Sequence, residues 1–391
     1  MFFNKYGIKS RNIDIICVNE LLWGLLFFLP VLTLYIQGSL GGAAEVGLII
    51  AIQSISSLLL EIPTGALGDL IGRKKTVFLG NAAYLVSLVF LYWGGSIEIF
   101  IIYAILSGAC FAMFSGTYTA LIYDSLKEEG KGRHFKNVNG AILSIWPFFA
   151  AIGAVVGGTL AATSLQLTIL ATMVPIGLST LLCLFIKEPK YEKPKDNSMV
   201  RQMKDSAKAI LGNRQLLILT AAAAVIFGAG ESMYYLYPII LNAKGLAVTE
   251  ISYLFAGMFL LSSAGHYFSQ NVSERLGDKN TLILRPIITS ILIVGATLSF
   301  GLFAGLLIAL TSLFFGFYNP VMEYMMNLEA KSDKRATILS ISSMMSRLGL
   351  AAMVVFMGYV ADAASIETAY LGVAAVLLGA AGLLLMVKDK Q

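Results

Sequence analysis

EIPTGALGDLIGRKK, residues 61–75, joins two long apolar runs and packs glycines, two acids and three consecutive bases into one short turn. A turn of this kind reads differently in water and in lipid, so the runs around it decide its meaning. The chain has 391 residues, 57% hydrophobic and 13% charged, with a mean hydropathy of +0.79, outside the range of soluble globular domains. A membrane-spanning helix needs about 20 apolar residues to cross roughly 30 Å of hydrocarbon. Runs of that length recur along the whole chain, whereas the strict alternation over about 10 residues that marks a transmembrane β-strand is absent. The sequence therefore reads as an all-α integral membrane protein.

Working outward from residues 61–75, the predicted spans are 13–36, 46–68, 76–93, 97–125, 137–160, 166–186, 216–241, 248–269, 281–300, 303–328, 336–361 and 367–387. The first is too long for a signal-peptide core and lacks a small-residue cleavage pattern, so it is expected to remain as a span. Loop bases test this topology, because Lys and Arg concentrate on the cytoplasmic side. The amino-terminal tail, the loops after spans 2, 4, 8 and 10, the segment 187–214 and the carboxyl terminus carry 25 Lys and Arg, and the opposite side carries Lys244 alone. Both termini are thus expected in the cytoplasm. Bases confined to alternate loops report orientation, so the net charge of +5 gives no reason to expect a nucleic acid partner.

Twelve spans fall into two sets of six around the one long hydrophilic segment. The expected domains are residues 1–186, a cytoplasmic linker 187–215, and residues 216–391. Within the linker, residues 199–211 suit either a short amphipathic helix or a solvated connection with a few helical turns. An internal repeat supports the division: AILSI at 141–145 recurs as TILSI at 337–341, an offset of 196 in a chain of 391. A second pairing sets Asp69 and Gly72 against Glu274 and Gly277.

Within EIPTGALGDLIGRKK, Gly65 and Gly72 allow close helix approach, Asp69 can accept from backbone amides at a helix start, and Arg73 can form a forked pair with a carboxylate. A positive-side anchor with an incidental acid is the plain alternative. The pattern Gly65-x-Leu67-x-Asp69-x-x-Gly72-Arg73-Lys74-Lys75, with the six-plus-six layout and basic central segment, resembles the major facilitator superfamily over the whole chain. The resemblance implies a twelve-helix transporter fold of two pseudo-symmetric bundles. It also implies that Asp69 and Arg73 form a charge network with Asp124, at the end of span 4, which holds the outward-open state. Glu61 stands at the head of this latch. Asp278 occupies the arginine position of the second half, so no matching second latch is expected.

Span 5 carries Gly140, Gly153, Gly157 and Gly158, at a spacing that resembles the helix 5 motif of the family's antiporters, with Phe149 and Ala154 departing from it. A small-residue packing face explains Gly153 and Gly157 as well. Span 4 has Ala104 where many proton antiporters of the family carry arginine, so proton coupling is not read from motifs.

Ionisable residues inside spans carry more weight, since each costs about 2.5–3.5 kcal/mol at a helix centre and needs a partner or a cavity. Glu20, Glu231, Glu323 and Arg347 qualify, with Glu61 nearer an end. Glu20 shares a helix face with Trp23, Gly24 and Phe27, and Glu231 with Tyr234, Tyr235 and Pro238. Glu323 is flanked by Asn319, Met322 and Met326, and Arg347 by Ser343 and Met344; a Glu323–Arg347 ion pair is the structural alternative. The family resemblance places spans 1, 7 and 10 around a central cavity. An acid there can hold a proton near neutral pH and release it when a cation arrives. Pro30 and Pro238 are expected to bend spans 1 and 7. The Met322, Met325, Met326, Met344 and Met345 stretch suits either an adaptable ligand surface or ordinary packing.

Cys17, Cys110 and Cys183 lie inside apolar runs without metal-ligand spacing, and two histidines are too few for a metal cluster. No metal, cofactor or catalytic residue is expected. The reading is a monomeric secondary transporter of a bacterial inner membrane, exporting amphipathic or cationic small molecules against protons, with lipid as its surroundings. A carrier of sugar, peptide or another polar metabolite, using Arg347 with Ser107, Ser115, Thr117 and Thr119, is the alternative. A membrane-embedded enzyme or sensor finds no motif to support it.

Overall fold

The computed structural model describes residues 7–189, 199–330 and 335–388, apart from the side chains at 62, 65–70, 136, 199–202, 205 and 336. Sixteen α-helices order these residues: α1 (Arg11–Gly24), α2 (Leu32–Leu40), α3 (Ala43–Ile71), α4 (Arg73–Trp93), α5 (Ile97–Phe114), α6 (Thr117–Glu128), α7 (Phe135–Leu143), α8 (Ile145–Ala161), α9 (Leu165–Cys183), α10 (Met199–Gly212), α11 (Arg214–Ala243), α12 (Val248–Leu276), α13 (Asp278–Leu298), α14 (Gly301–Glu329), α15 (Arg335–Ala363) and α16 (Ile366–Leu385). They make twelve segments long and apolar enough to cross a membrane, one for each span read from the sequence, the eighth running on to Leu276, seven residues past its expected end. Spans 1, 4 and 5 are built from two helices each, α1 with α2, α5 with α6, and α7 with α8.

The breaks have local causes. Span 1 leaves the α-helical path at Leu25, one turn before Pro30, and Pro30 itself sits in a short 3-10 turn, Leu29–Val31. Proline has no N–H to continue the ladder, and the freed Phe27 amide is satisfied by Thr172 Oγ1 at 3.0 Å. Span 4 breaks at Ser115 and Gly116, where a φ of +72° suits glycine alone. Pro238 behaves differently from Pro30: α11 runs through it without interruption from Arg214 to Ala243.

The chain forms two compact units, residues 1–40 with 52–195, and residues 41–51 with 196–391. The first turns of α3 therefore belong with the second unit. There Asp362, near the end of α15, accepts from the backbone amides of Ala43 at 2.8 Å and Ala44 at 2.7 Å. Residues 41–44, GGAA, offer no side-chain cap of their own, so a distant carboxylate supplies it.

Glycine sets the closest helix approaches in each unit. In the first, a Cβ at Gly153 would lie 2.8 Å from Gly24 O, and one at Gly157 would lie 2.0 Å from Phe27 O, so α8 presses its backbone against the break in span 1. Gly158 is buried on the same helix. Gly140 differs from the expected packing role, having open space around its Cβ position, because the kink at Ser144 ends α7 before the contact begins. In the second unit a Cβ at Gly349 would lie 2.3 Å from Ala224 O, and one at Gly228 would meet Gly349 C at 2.4 Å. Gly349 follows Gly153 by 196 positions, the offset of the AILSI/TILSI repeat, and each presses on the first helix of its half. The loop pairing is equally visible: Gly72 and Gly277 both take a positive φ before a helix, and Thr76 and Thr281 each donate to that glycine's carbonyl at 2.9 Å.

Helix α10 forms over 199–212 and is not merely a solvated tether. Its Ile210 joins Leu216, Ala330 and Ile338 in a small apolar cluster of the second unit. Lys244, the lone loop base of its side, is buried, paired with Glu367 at 3.2 Å and donating to Thr297 O at 2.7 Å. The three cysteines are buried and free.

Candidate functional site

The turn after α3 is held by charge. Arg73 opens α4 and its Nε donates to Asp124 Oδ2 of α6 at 2.6 Å, both side chains largely buried. Arg73, Lys74 and Lys75 put three positive charges on the first turn of α4, where the helix macrodipole favours negative charge. Glu188, just beyond α9, compensates: its two carboxylate oxygens accept from the Arg73 and Lys74 amides at 2.7 and 2.9 Å. A Cβ at Gly72 would lie 2.8 Å from the Glu188 Cδ, so glycine is required for this approach as well as for its φ of +99°. Lys74 Nζ caps the Leu184 carbonyl at 2.8 Å. The network thus ties the ends of spans 3, 4 and 6 together. Sequence reasoning missed Glu188, although an unfavourable run of bases at a helix start is itself a signal that an acid must come from elsewhere. Gly65 and Asp69 fall among the residues whose side chains are not described. Glu61 accepts from Ser115 Oγ at 3.0 Å, at the break of span 4, and its other oxygen is buried without a hydrogen-bond partner.

Glu20 of α1 interacts electrostatically with Tyr118 of α6 in the first unit. The Tyr118 hydroxyl donates to the Ile16 carbonyl at 3.4 Å. Tyr118 stacks on Phe114 at 5.7 Å, Phe114 lies edge-on to Trp23 at 5.1 Å, and Trp23 meets Tyr84 at 4.5 Å. These side chains are fixed by a buried polar network. Trp23 Nε1 donates to Asn81 Oδ1 at 2.9 Å, Asn19 Nδ2 donates to the Tyr118 hydroxyl at 3.0 Å, and Ser179 Oγ bridges Asn19 and Asn81. Asn and Ser are too common in apolar helices for the network to be read from sequence.

In the second unit Glu231 of α11 lies beside Tyr234 and Tyr235, which meet each other at 5.7 Å. Arg347 of α15 is half-buried and acts electrostatically on Tyr235. Arg285 of α13, which sequence reasoning also missed, acts electrostatically on Glu231 and is 4% exposed. Glu323 is exposed, two turns before the end of α14, so it is not a buried acid, and Asn319, one turn earlier, is half-buried. Met322, Met325 and Met326 are buried, as ordinary packing requires. Two of the four hydroxyls of the alternative reading are already engaged: Ser107 accepts from Gln53 at 2.8 Å and Ser115 donates to Glu61.

Comparison with known proteins follows the same line. The chain is 21% identical over 235 residues to the uncharacterized MFS-type transporter YxaM of Bacillus subtilis (strain 168), a match that covers 59% of this chain and 58% of YxaM. Its fold is similar to the crystal structure of a variant of the nucleoside transporter NupG, with a TM-score of 0.85 at 14% identity over 97% of this chain and 100% of the other. It is also similar to a D-xylose-proton symporter, with a TM-score of 0.77 at 14% identity over 96% and 97% of the two chains. At these identities the likeness shows the fold alone. Twelve apolar helices in this fold make the chain an integral, multi-pass membrane protein. The family model of the Major Facilitator Superfamily matches residues 16–303 and 221–391, and the chain belongs to that family.

Proposed function

We propose that the chain is a secondary active transporter working by alternating access, and that it exports amphipathic or cationic small molecules in exchange for protons. The observation that carries this reading is Glu20, a carboxylate inside span 1 that interacts electrostatically with Tyr118, whose ring stacks on Phe114 and through it reaches Trp23. A carboxylate takes a proton or an organic cation, and aromatic faces favour the cation once water is excluded. Binding the one then releases the other, which is the exchange an antiporter needs. Both termini and the Arg73 network are assigned to the cytoplasmic side by the distribution of loop bases, in a bacterial inner membrane, with the monomer as the working unit.

Everted membrane vesicles test the reading, with tetraphenylphosphonium as the probe and respiration supplying the proton gradient. Glu20→Gln is expected to lower the initial rate of uptake at least about tenfold, a loss of about 1.4 kcal/mol or more of differential binding. Glu323→Gln, at an exposed position, is expected to stay within about twofold. Equal rates for Glu20→Gln and the unsubstituted protein would sink the assignment of Glu20.

A further inference from the structure

Arg285 is the costliest charge inside the spans of the second unit. A guanidinium within a membrane span needs a partner or a function, and this one has only part of a partner set. Its Cζ lies 4.9 Å from the centroid of the Phe315 ring and 4.6 Å from that of the Tyr318 ring, both on α14. An aromatic ring attracts the cation but accepts no conventional hydrogen bond, so the N–H donors still need acceptors. Nη1 is buried with no hydrogen-bond partner. Glu231 acts on Arg285 electrostatically, yet among the described residues no direct ion pair joins them. Gly230 of α11 lets the guanidinium pack directly against that helix: a Cβ there would lie 2.5 Å from Nη2.

Two more donors share this condition. The Tyr318 hydroxyl is buried without a hydrogen-bond partner, on the residue whose ring covers Arg285. So is Thr289 Oγ1, one helical turn from Arg285 on α13 and therefore on the same face. Buried polar groups are nearly always satisfied, and each exception calls for a cause. Three donors unsatisfied together, one of them a cation beside two rings, share one: an acceptor that comes and goes.

We propose that Arg285, Tyr318 and Thr289 form an oxyanion-accepting subsite that takes the carboxylate or phosphate of a ligand with a flat or apolar body. Glu231 is the internal carboxylate that competes for the guanidinium. The rings of Phe315 and Tyr318 pack beside the guanidinium, whose planar fork offers a carboxylate or phosphate two donors where lysine offers a point charge. The inference rests on the transporter assignment and not on cation export: binding to purified protein reads it directly, whatever the vesicle assay shows.

Isothermal titration of the purified full chain in detergent tests it, with benzoate and phenyl phosphate as probes and benzyl alcohol and benzylamine as neutral and cationic controls. At least one anion is expected to bind saturably where both controls do not, and comparison of the two anions identifies the oxyanion preferred. Affinity is expected to fall at least about tenfold in Arg285→Gln and Gly230→Ala, to fall about threefold in Tyr318→Phe, and to rise in Glu231→Gln. The proposal is overturned if neither anion binds the unsubstituted protein or Glu231→Gln, or if a folded Arg285→Gln binds as tightly as the unsubstituted chain. Should Arg285→Gln fail to fold, unchanged affinity in both Tyr318→Phe and Glu231→Gln overturns it equally.

Discussion

Arg73→Ala is expected to move the conformational equilibrium by about 2 kcal/mol, roughly thirty-fold, towards the form open at the Arg73 end. The substitution removes a charge-assisted bond to Asp124 at 2.6 Å and leaves that carboxylate largely buried without its cation. The backbone amides at 73 and 74 keep Glu188, so α4 still starts where it does and the effect falls on the latch rather than on the fold. Arg73→Lys keeps the charge and loses the planar fork, so an intermediate shift is expected. Thiol labelling of single cysteines placed along span 10 towards its two ends reads the outcome, against a low background because Cys17, Cys110 and Cys183 are buried. Faster labelling at the Arg73 end with slower labelling at the other is expected. Identical rates at both ends in Arg73→Ala would remove the latch from the mechanism.

Gly157→Val is expected to cost about 3 kcal/mol or more, enough to abolish accumulation of folded protein. A Cβ at Gly157 would lie 2.0 Å from Phe27 O and 2.9 Å from Phe27 C, and backbone atoms cannot give way as a side chain can. The break in span 1 would have to move, and with it the Phe27 amide bond to Thr172. Gly349→Val, at the repeat-related position, is expected to behave alike through the Ala224 carbonyl, whereas Gly140→Ala should be neutral because its Cβ position is open. Thermal unfolding monitored on detergent-purified protein compares all three. A Gly157→Val protein that unfolds at the unsubstituted temperature would show that the close approach is not needed.

The fold was legible because lipid imposes a simple grammar on a chain: length, apolarity and the side on which bases collect. The twelve spans follow from it, and so does the repeat, since Gly153 and Gly349 perform the same contact in their halves. The breaks in spans 1 and 4 were less legible, because they depend on which neighbour takes up the released amide, as Thr172 does for Phe27. The pairing of Arg73 with Asp124 could be named, and Glu20 and Glu231 could be singled out, since an acid in an apolar run is conspicuous. Glu188 was hidden among the charges of the linker. Arg285 was hidden in the opposite way, by a run apolar enough to absorb one base without losing its span-like hydropathy. Glu323 looked buried for the same reason and is exposed, because distance from a helix end does not show which face a neighbour covers.

The central claim is transport driven by a proton gradient, and reconstitution tests it most directly. Purified protein in proteoliposomes, with an imposed pH difference and no nucleotide, is expected to move tetraphenylphosphonium against its gradient, and a proton ionophore is expected to abolish the movement. Movement that persists with the ionophore present, or none at all in vesicles shown to hold folded protein, would contradict the account.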